Sequence, residues 1–138
     1  MKNFKSGPGQ VGERLVVRSG VVSGDPEQVG DLNGVAFEDR DTDTYAVLDI
    51  AQGNIYRMYV RNVTAYNGGE EQTYAAITVG KKVYFDVSST MPAGVKLSTS
   101  AEDKDEAATK LWGIAMEADA TATENTAYID VMLINPAV

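Results

Sequence analysis

The 138-residue chain contains no cysteine and no histidine. Without cysteine there is no disulfide scaffold, no thiol nucleophile and no thiolate-bound metal site. Without histidine the chain lacks the side chain best suited to proton transfer near neutrality, and with it the Ser-His-acid triad and histidine-ligated zinc or iron. No apolar run approaches the roughly eighteen residues of a membrane span. The N-terminal lysines precede no apolar core of the kind a secretion signal requires, so no membrane partner is expected. Catalysis would have to rest on carboxylates, lysine or tyrosine, and no cofactor is called for.

What is present is a weakly hydropathic, acidic composition. Hydrophobic residues make up 43% of the chain, enough for one domain with a core of its own. The formal charge of −8 argues against duplex nucleic acid as a partner. That charge is uneven: residues 1–18 carry Lys2, Lys5, Arg14 and Arg18 against Glu13 alone. A basic arm on an acidic body suits docking onto another protein.

Two copies of one pattern organise the chain. Leu32-Asn33-Gly34-Val35-Ala36-Phe37-Glu38 is matched by Leu111-Trp112-Gly113-Ile114-Ala115-Met116-Glu117. Each copy passes through a polar stretch into a second apolar segment, Tyr45–Ile50 in the first and Tyr128–Ile134 in the second. This predicts a β-hairpin used twice. Gly34 and Gly113 stand between apolar residues, where glycine weakens a strand. A close approach of backbones, or a bulge, is the physical reason to expect there.

Residues 1–13 read as an extended arm, because Gly7-Pro8-Gly9 and Gly12 oppose a helix. Residues 14–138 read as a single β domain. Arg14–Val22 predicts a strand broken near Ser19-Gly20, and further strands are expected at Glu27–Val29, Ile55–Val63, Lys81–Val87 and Val95–Thr99. Asn67-Gly68 is a tight-turn candidate, Ser88–Gly94 is a turn, and Ala118–Asn125 is a polar hairpin loop. Ala101–Lys110 is the best helical candidate, with Ser100 as its cap, although it lacks an apolar stripe. Asp39–Asp43 begins like a calcium loop, but Thr44 replaces the required glycine and Ile50 the final glutamate, so a solvated acidic turn is expected.

Three functional classes follow. A glycan hydrolase would draw on Asp49, Asp86 and Asp130, acids inside apolar strands that would need to be paired in a cleft. A carbohydrate- or cell-surface-binding module would present Trp112, Tyr56, Tyr59 and Tyr66 as an aromatic platform. An assembly protein would use the mixed strand Ile55–Val63, neither face of which is cleanly polar. That places Arg57, Tyr59 and Arg61 near a subunit contact, with Phe4 and Lys5 on the arm.

The motifs together resemble the capsid-cement, or head-decoration, proteins of bacteriophages. The resemblance rests on the opening Met1-Lys2-Asn3-Phe4, on Gly30-Asp31-Leu32-Asn33-Gly34-Val35-Ala36, on Gly80-Lys81-Lys82-Val83-Tyr84-Phe85-Asp86 and on the late Gly113-Ile114-Ala115. The stretches Gly7–Gly12, Tyr56–Tyr74 and Glu102–Glu106 depart from the family pattern. The resemblance implies an all-β fold, a small β-barrel or compact sandwich, and no catalysis. It implies attachment to the outer surface of the phage head, with the major capsid protein as partner, self-association as a homotrimer, and residence in the host cytoplasm before assembly.

Overall fold

The computed structural model describes residues 3–7, 9, 11–88, 91–120 and 125–135. Parts of three expected features lie outside them: the arm at residues 1, 2, 8 and 10, the turn at 89 and 90, and the polar loop at 121–124. The end of the last strand at Pro136 also lies outside.

Twelve strands are described: β1 Phe4–Ser6, β2 Gly12–Val16, β3 Pro26–Val29, β4 Leu32–Ala36, β5 Tyr45–Asp49, β6 Ile55–Arg61, β7 Val63–Asn67, β8 Glu70–Tyr74, β9 Lys82–Phe85, β10 Leu97–Ser98, β11 Lys110–Ala115 and β12 Thr126–Leu133. Strands β6, β10, β9, β11 and β12 run in that order, and β12 pairs back onto β6, which closes a five-stranded barrel. Closure removes the free sheet edges that so many short strands would otherwise expose. Its narrowest seam is β10, two residues that run parallel to β6 and antiparallel to β9. A four-stranded sheet, β2-β5-β4-β3, lies beside the barrel, and β7 and β8 form a separate hairpin.

Alternation decides what fills the barrel. Along β12, Ala127, Ile129, Val131 and Leu133 point inward and are buried, while Tyr128, Asp130 and Met132 face outward. Along β6, Tyr56, Met58 and Val60 are the buried set. These residues join Val83, Leu97 and Trp112 in the main core. Val17, Val21, Ala36, Ala46 and Leu48 form a second, smaller core under the four-stranded sheet. Strand β4 serves both, because Val35 belongs to the barrel core and its neighbour Ala36 to the other.

The two pattern copies form hairpins in the same register. In β4–β5, Val35 faces Asp49 and Ala36 faces Leu48. In β11–β12, Ile114 faces Met132 and Ala115 faces Val131. One further hydrogen bond matches as well: Phe37 N donates to the Val47 carbonyl, and Met116 N to that of Asp130, each at 2.8 Å. The glycines explain themselves. A Cβ on Gly34 would lie 3.0 Å from the Asp49 carbonyl oxygen, and one on Gly113 only 2.5 Å from that of Met132. Close approach is therefore common to both copies. The bulge occurs only in the second, where Leu111 and Gly113 pair with adjacent residues of β9 and Trp112 is the extra residue.

Several expectations change. Ala101–Lys110 forms no helix; Glu102 instead bridges Ala108, and the Asp103 carboxylate accepts the Asp105 and Ala107 amides. With no apolar stripe to bury, a side chain that satisfies local amides outcompetes the helix. The turn near Asn67 is Gly68-Gly69, both at positive φ, with Asn67 paired to Glu70. The N-terminal segment is extended, and two parts of it pair within their own chain: β1 with β6, and β2 with β5. Phe4 packs on the barrel core, edge-on to Tyr56 at 5.5 Å.

Candidate docking face

β6 and β12 pair over their whole length, with Tyr59 opposite Tyr128, Asp130 opposite Arg57 and Met132 opposite Ile55. All six belong to the outward set of their strands. Tyr59 and Tyr128 are 53% and 43% exposed, more than any other aromatic residue of the described core strands, and their rings lie 4.4 Å apart at 32°. A direct cross-strand aromatic pair is favourable in itself. It also leaves two large, flat faces on the outside of a closed barrel.

Arg57 completes the surface. Its guanidinium contacts Glu117 at 2.9 Å and Asp130 at 3.3 Å, and stands 4.9 Å from the centre of the Tyr128 ring. The hydrogen bond and charge of Glu117, then the hydrogen bond and charge of Asp130, hold it still more firmly in the charged form. A cavity of about 340 Å³ opens beside the tyrosines, bounded by Asn3, Asp25, Met58 and Gly94. Lys96 closes an ion pair on Asp25 at 2.6 Å nearby. The face thus combines tyrosine, methionine and a pre-positioned arginine, the residue types enriched where proteins meet.

The other sequence candidates divide. Arg61 shares the parity of Arg57 but is only 8% exposed, because it folds under the β7–β8 hairpin onto Glu71 at 2.9 Å. Phe4 is half-buried in its own chain, and Lys5 is exposed. The four-membered aromatic platform does not exist, since Trp112, Tyr56 and Tyr66 are all buried and only Tyr59 faces solvent. The barrel core claimed Tyr56 and Trp112, and Tyr66 is buried on the β7–β8 hairpin. Tyr128, Glu117 and Asp130 completed the face without having been marked as contacts. The parity of Tyr128–Ile134 carries the signal for Tyr128 and Asp130; Glu117 lies outside that strand, just past the end of β11.

The three candidate carboxylates are apart in role. Asp49 is fully buried and accepts the Val11 and Ala51 amides, the Asn54 side chain and the Tyr56 hydroxyl. It is a structural anchor, joining β5 to the start of β6 and to the N-terminal segment. Asp86 accepts the Ser88 amide, and Asp130 is bound to Arg57 on the surface. No group of three or more acidic side chains among the described residues is placed to hold a metal. Asp41, in the acidic turn, accepts the Tyr45 and Asp43 amides and pairs with Arg14 instead.

The sequence profile of the phage cement protein family matches residues 9–131. The chain belongs to that family. Nothing among curated proteins and nothing among solved structures matches it. Phage cement proteins are structural and non-catalytic, and this one is a virion structural protein associated with the phage capsid.

Proposed function

We propose that the chain binds the outer surface of the phage head and stabilises it by seating the Tyr59–Tyr128 face on the major capsid protein. The observation that carries this reading is the exposed tyrosine pair with Arg57 fixed beside it on a rigid barrel wall. Such a surface loses little side-chain freedom on binding, so more of its contact energy appears as affinity. Repeated over a shell, moderate contacts add through avidity and need no deep pocket. Phe4 secures β1 along the edge of β6, and the exposed Lys5 is carried next to that face as a further contact.

A homotrimer is the oligomer we propose, by analogy with decoration proteins of tailed phages; the mass of the free protein in solution tests it. For docking, the test is co-sedimentation of purified protein with heads that lack it. Wild-type protein pellets with the heads, and the Tyr59→Ala/Tyr128→Ala variant stays in the supernatant. Equal pelleting of a folded variant would refute the assignment of the face.

A further inference from the structure

A second surface, on the far wall of the barrel, differs in chemistry. The turn Thr78–Lys81 leads into β9 and forms one side of a cavity of about 550 Å³. Lys82 and Tyr84 of β9, Thr64 of β7 and Thr99 complete it, and no carboxylate lines it. Neither the Lys81 nor the Lys82 ammonium has a hydrogen-bond or ion-pair partner among the described residues, and the same holds for the Thr78 and Tyr84 hydroxyls. This is unusual in a chain of formal charge −8. Apart from Lys5 and Arg40, every other described lysine and arginine is already in an ion pair. Arg40 donates to the Val17 carbonyl.

Four solvent-facing donor side chains without partners among the described residues, around one cavity free of carboxylates, suit an anionic occupant. The turn does not offer a phosphate nest, because the Gly80 amide already donates to Ala115 at 2.8 Å and the Lys81 amide to Thr78 at 3.1 Å. Lysine supplies separated point charges rather than the planar fork that grips a single phosphate. The cavity is also wide, and Val79 on its rim is 62% exposed. Spaced carboxylates with an apolar side chain between them fit these features better than a compact oxyanion.

We infer that the Thr78–Tyr84 cavity is a docking site for an acidic polypeptide segment, in which Lys81 and Lys82 pair with its carboxylates and Val79 meets an apolar residue. It shares no lining residue with the cavity beside Tyr59 and does not rest on the docking reading of that face.

The test uses the full chain and a fluorescent peptide alternating glutamate and valine, read by anisotropy at low salt. Saturable binding is expected, with no binding of the matching glutamine–valine peptide. Affinity falls about tenfold or more in Lys81→Gln/Lys82→Gln and on raising sodium chloride to about 0.5 M. Amide chemical-shift changes in the unaltered protein are expected on residues 78–84. Undiminished peptide binding by a double variant that melts like the parent would overturn the inference, as would shift changes confined elsewhere. Displacement of the peptide by an equal concentration of inorganic phosphate would overturn it too, by showing a simple oxyanion site.

Discussion

Asn33 and Asn135 hold each other: the Asn33 amide donates to Asn135 Oδ1 at 3.3 Å, and Asn135 Nδ2 donates to the Asn33 carbonyl at 2.9 Å. Both are 1% exposed. Asn33 Nδ2 also reaches the Ile134 carbonyl at 2.7 Å and that of Leu111 at 2.9 Å, while Asn135 Nδ2 reaches Ile50 at 3.1 Å. The pair joins the first hairpin to the second, and so the four-stranded sheet to the barrel. Asn33→Ala strands buried carbonyls and should cost about 2–4 kcal/mol, measured by urea unfolding. A loss below about 0.5 kcal/mol, within the range of ordinary surface changes, would remove this joint from the account.

The two equivalent glycines should respond unequally. A methyl on Gly113 would sit 2.5 Å from the Met132 carbonyl oxygen and 2.9 Å from Val131, whereas on Gly34 the nearest atoms are 3.0 Å away. Gly113→Ala is expected to cost about 3 kcal/mol, and Gly34→Ala about 1, since overpacking rises steeply once backbone must move. Thermal unfolding of both variants gives the order. The reverse order would contradict the geometry.

Glu27 is fully buried and meets Arg18 at 2.9 Å, with the guanidinium 5.1 Å from the Phe85 ring. Trp112 Nε1 donates to the Glu27 carbonyl at 3.1 Å, so this ion pair also stands at the seam between the sheets. Arg18→Met alone leaves a buried carboxylate without its counter-ion and should cost about 3 kcal/mol. Arg18→Met/Glu27→Leu should recover most of that loss, because the desolvated charge is gone. A double-mutant cycle with no coupling would show the pair to be energetically idle.

At the acidic turn, backbone hydrogen bonding from Tyr45, then Asp43 and the nearby Arg14, holds Asp41 below the ordinary aspartate range. A lowered folded-state value stabilises the protein above the ordinary aspartate value of about 4, and the effect fades as pH falls through the folded-state value. Asp41→Asn should therefore melt lower than the parent at pH 7 and converge with it in strong acid. A gap that persists unchanged at pH 2 would point to a lost hydrogen bond with no charge component.

On the docking face, Arg57→Ala should weaken head binding less than the double tyrosine change, because its charge already has Glu117 and Asp130 as partners. Binding to heads across a salt series, with melting curves alongside, separates the two. A larger effect from arginine would shift the centre of the contact from the rings to the charge.

Local patterns determined much of this protein. Alternation along Tyr128–Ile134 and the repeated Leu-x-Gly-(Val/Ile)-Ala announced strands, hairpins and a shared register, because side-chain period and turn chemistry are local properties. The lack of histidine and cysteine narrowed the chemistry before any fold was known. Only the tertiary structure decided which rings stayed outside. Tyr56, Tyr59, Tyr66 and Trp112 are alike as residues, yet barrel closure buried Tyr56 and Trp112, Tyr66 was buried on the separate β7–β8 hairpin, and Tyr59 was left to meet Tyr128. It also decided that Arg61 turns inward onto Glu71 while Arg57 stays at the surface, and that Asp49 serves as an anchor. The fate of the rings depends on contacts between segments far apart in the chain, which no short window of sequence contains; Arg61–Glu71 and Asp49–Asn54 span only ten and five residues, but form because the folded backbone turns each pair together.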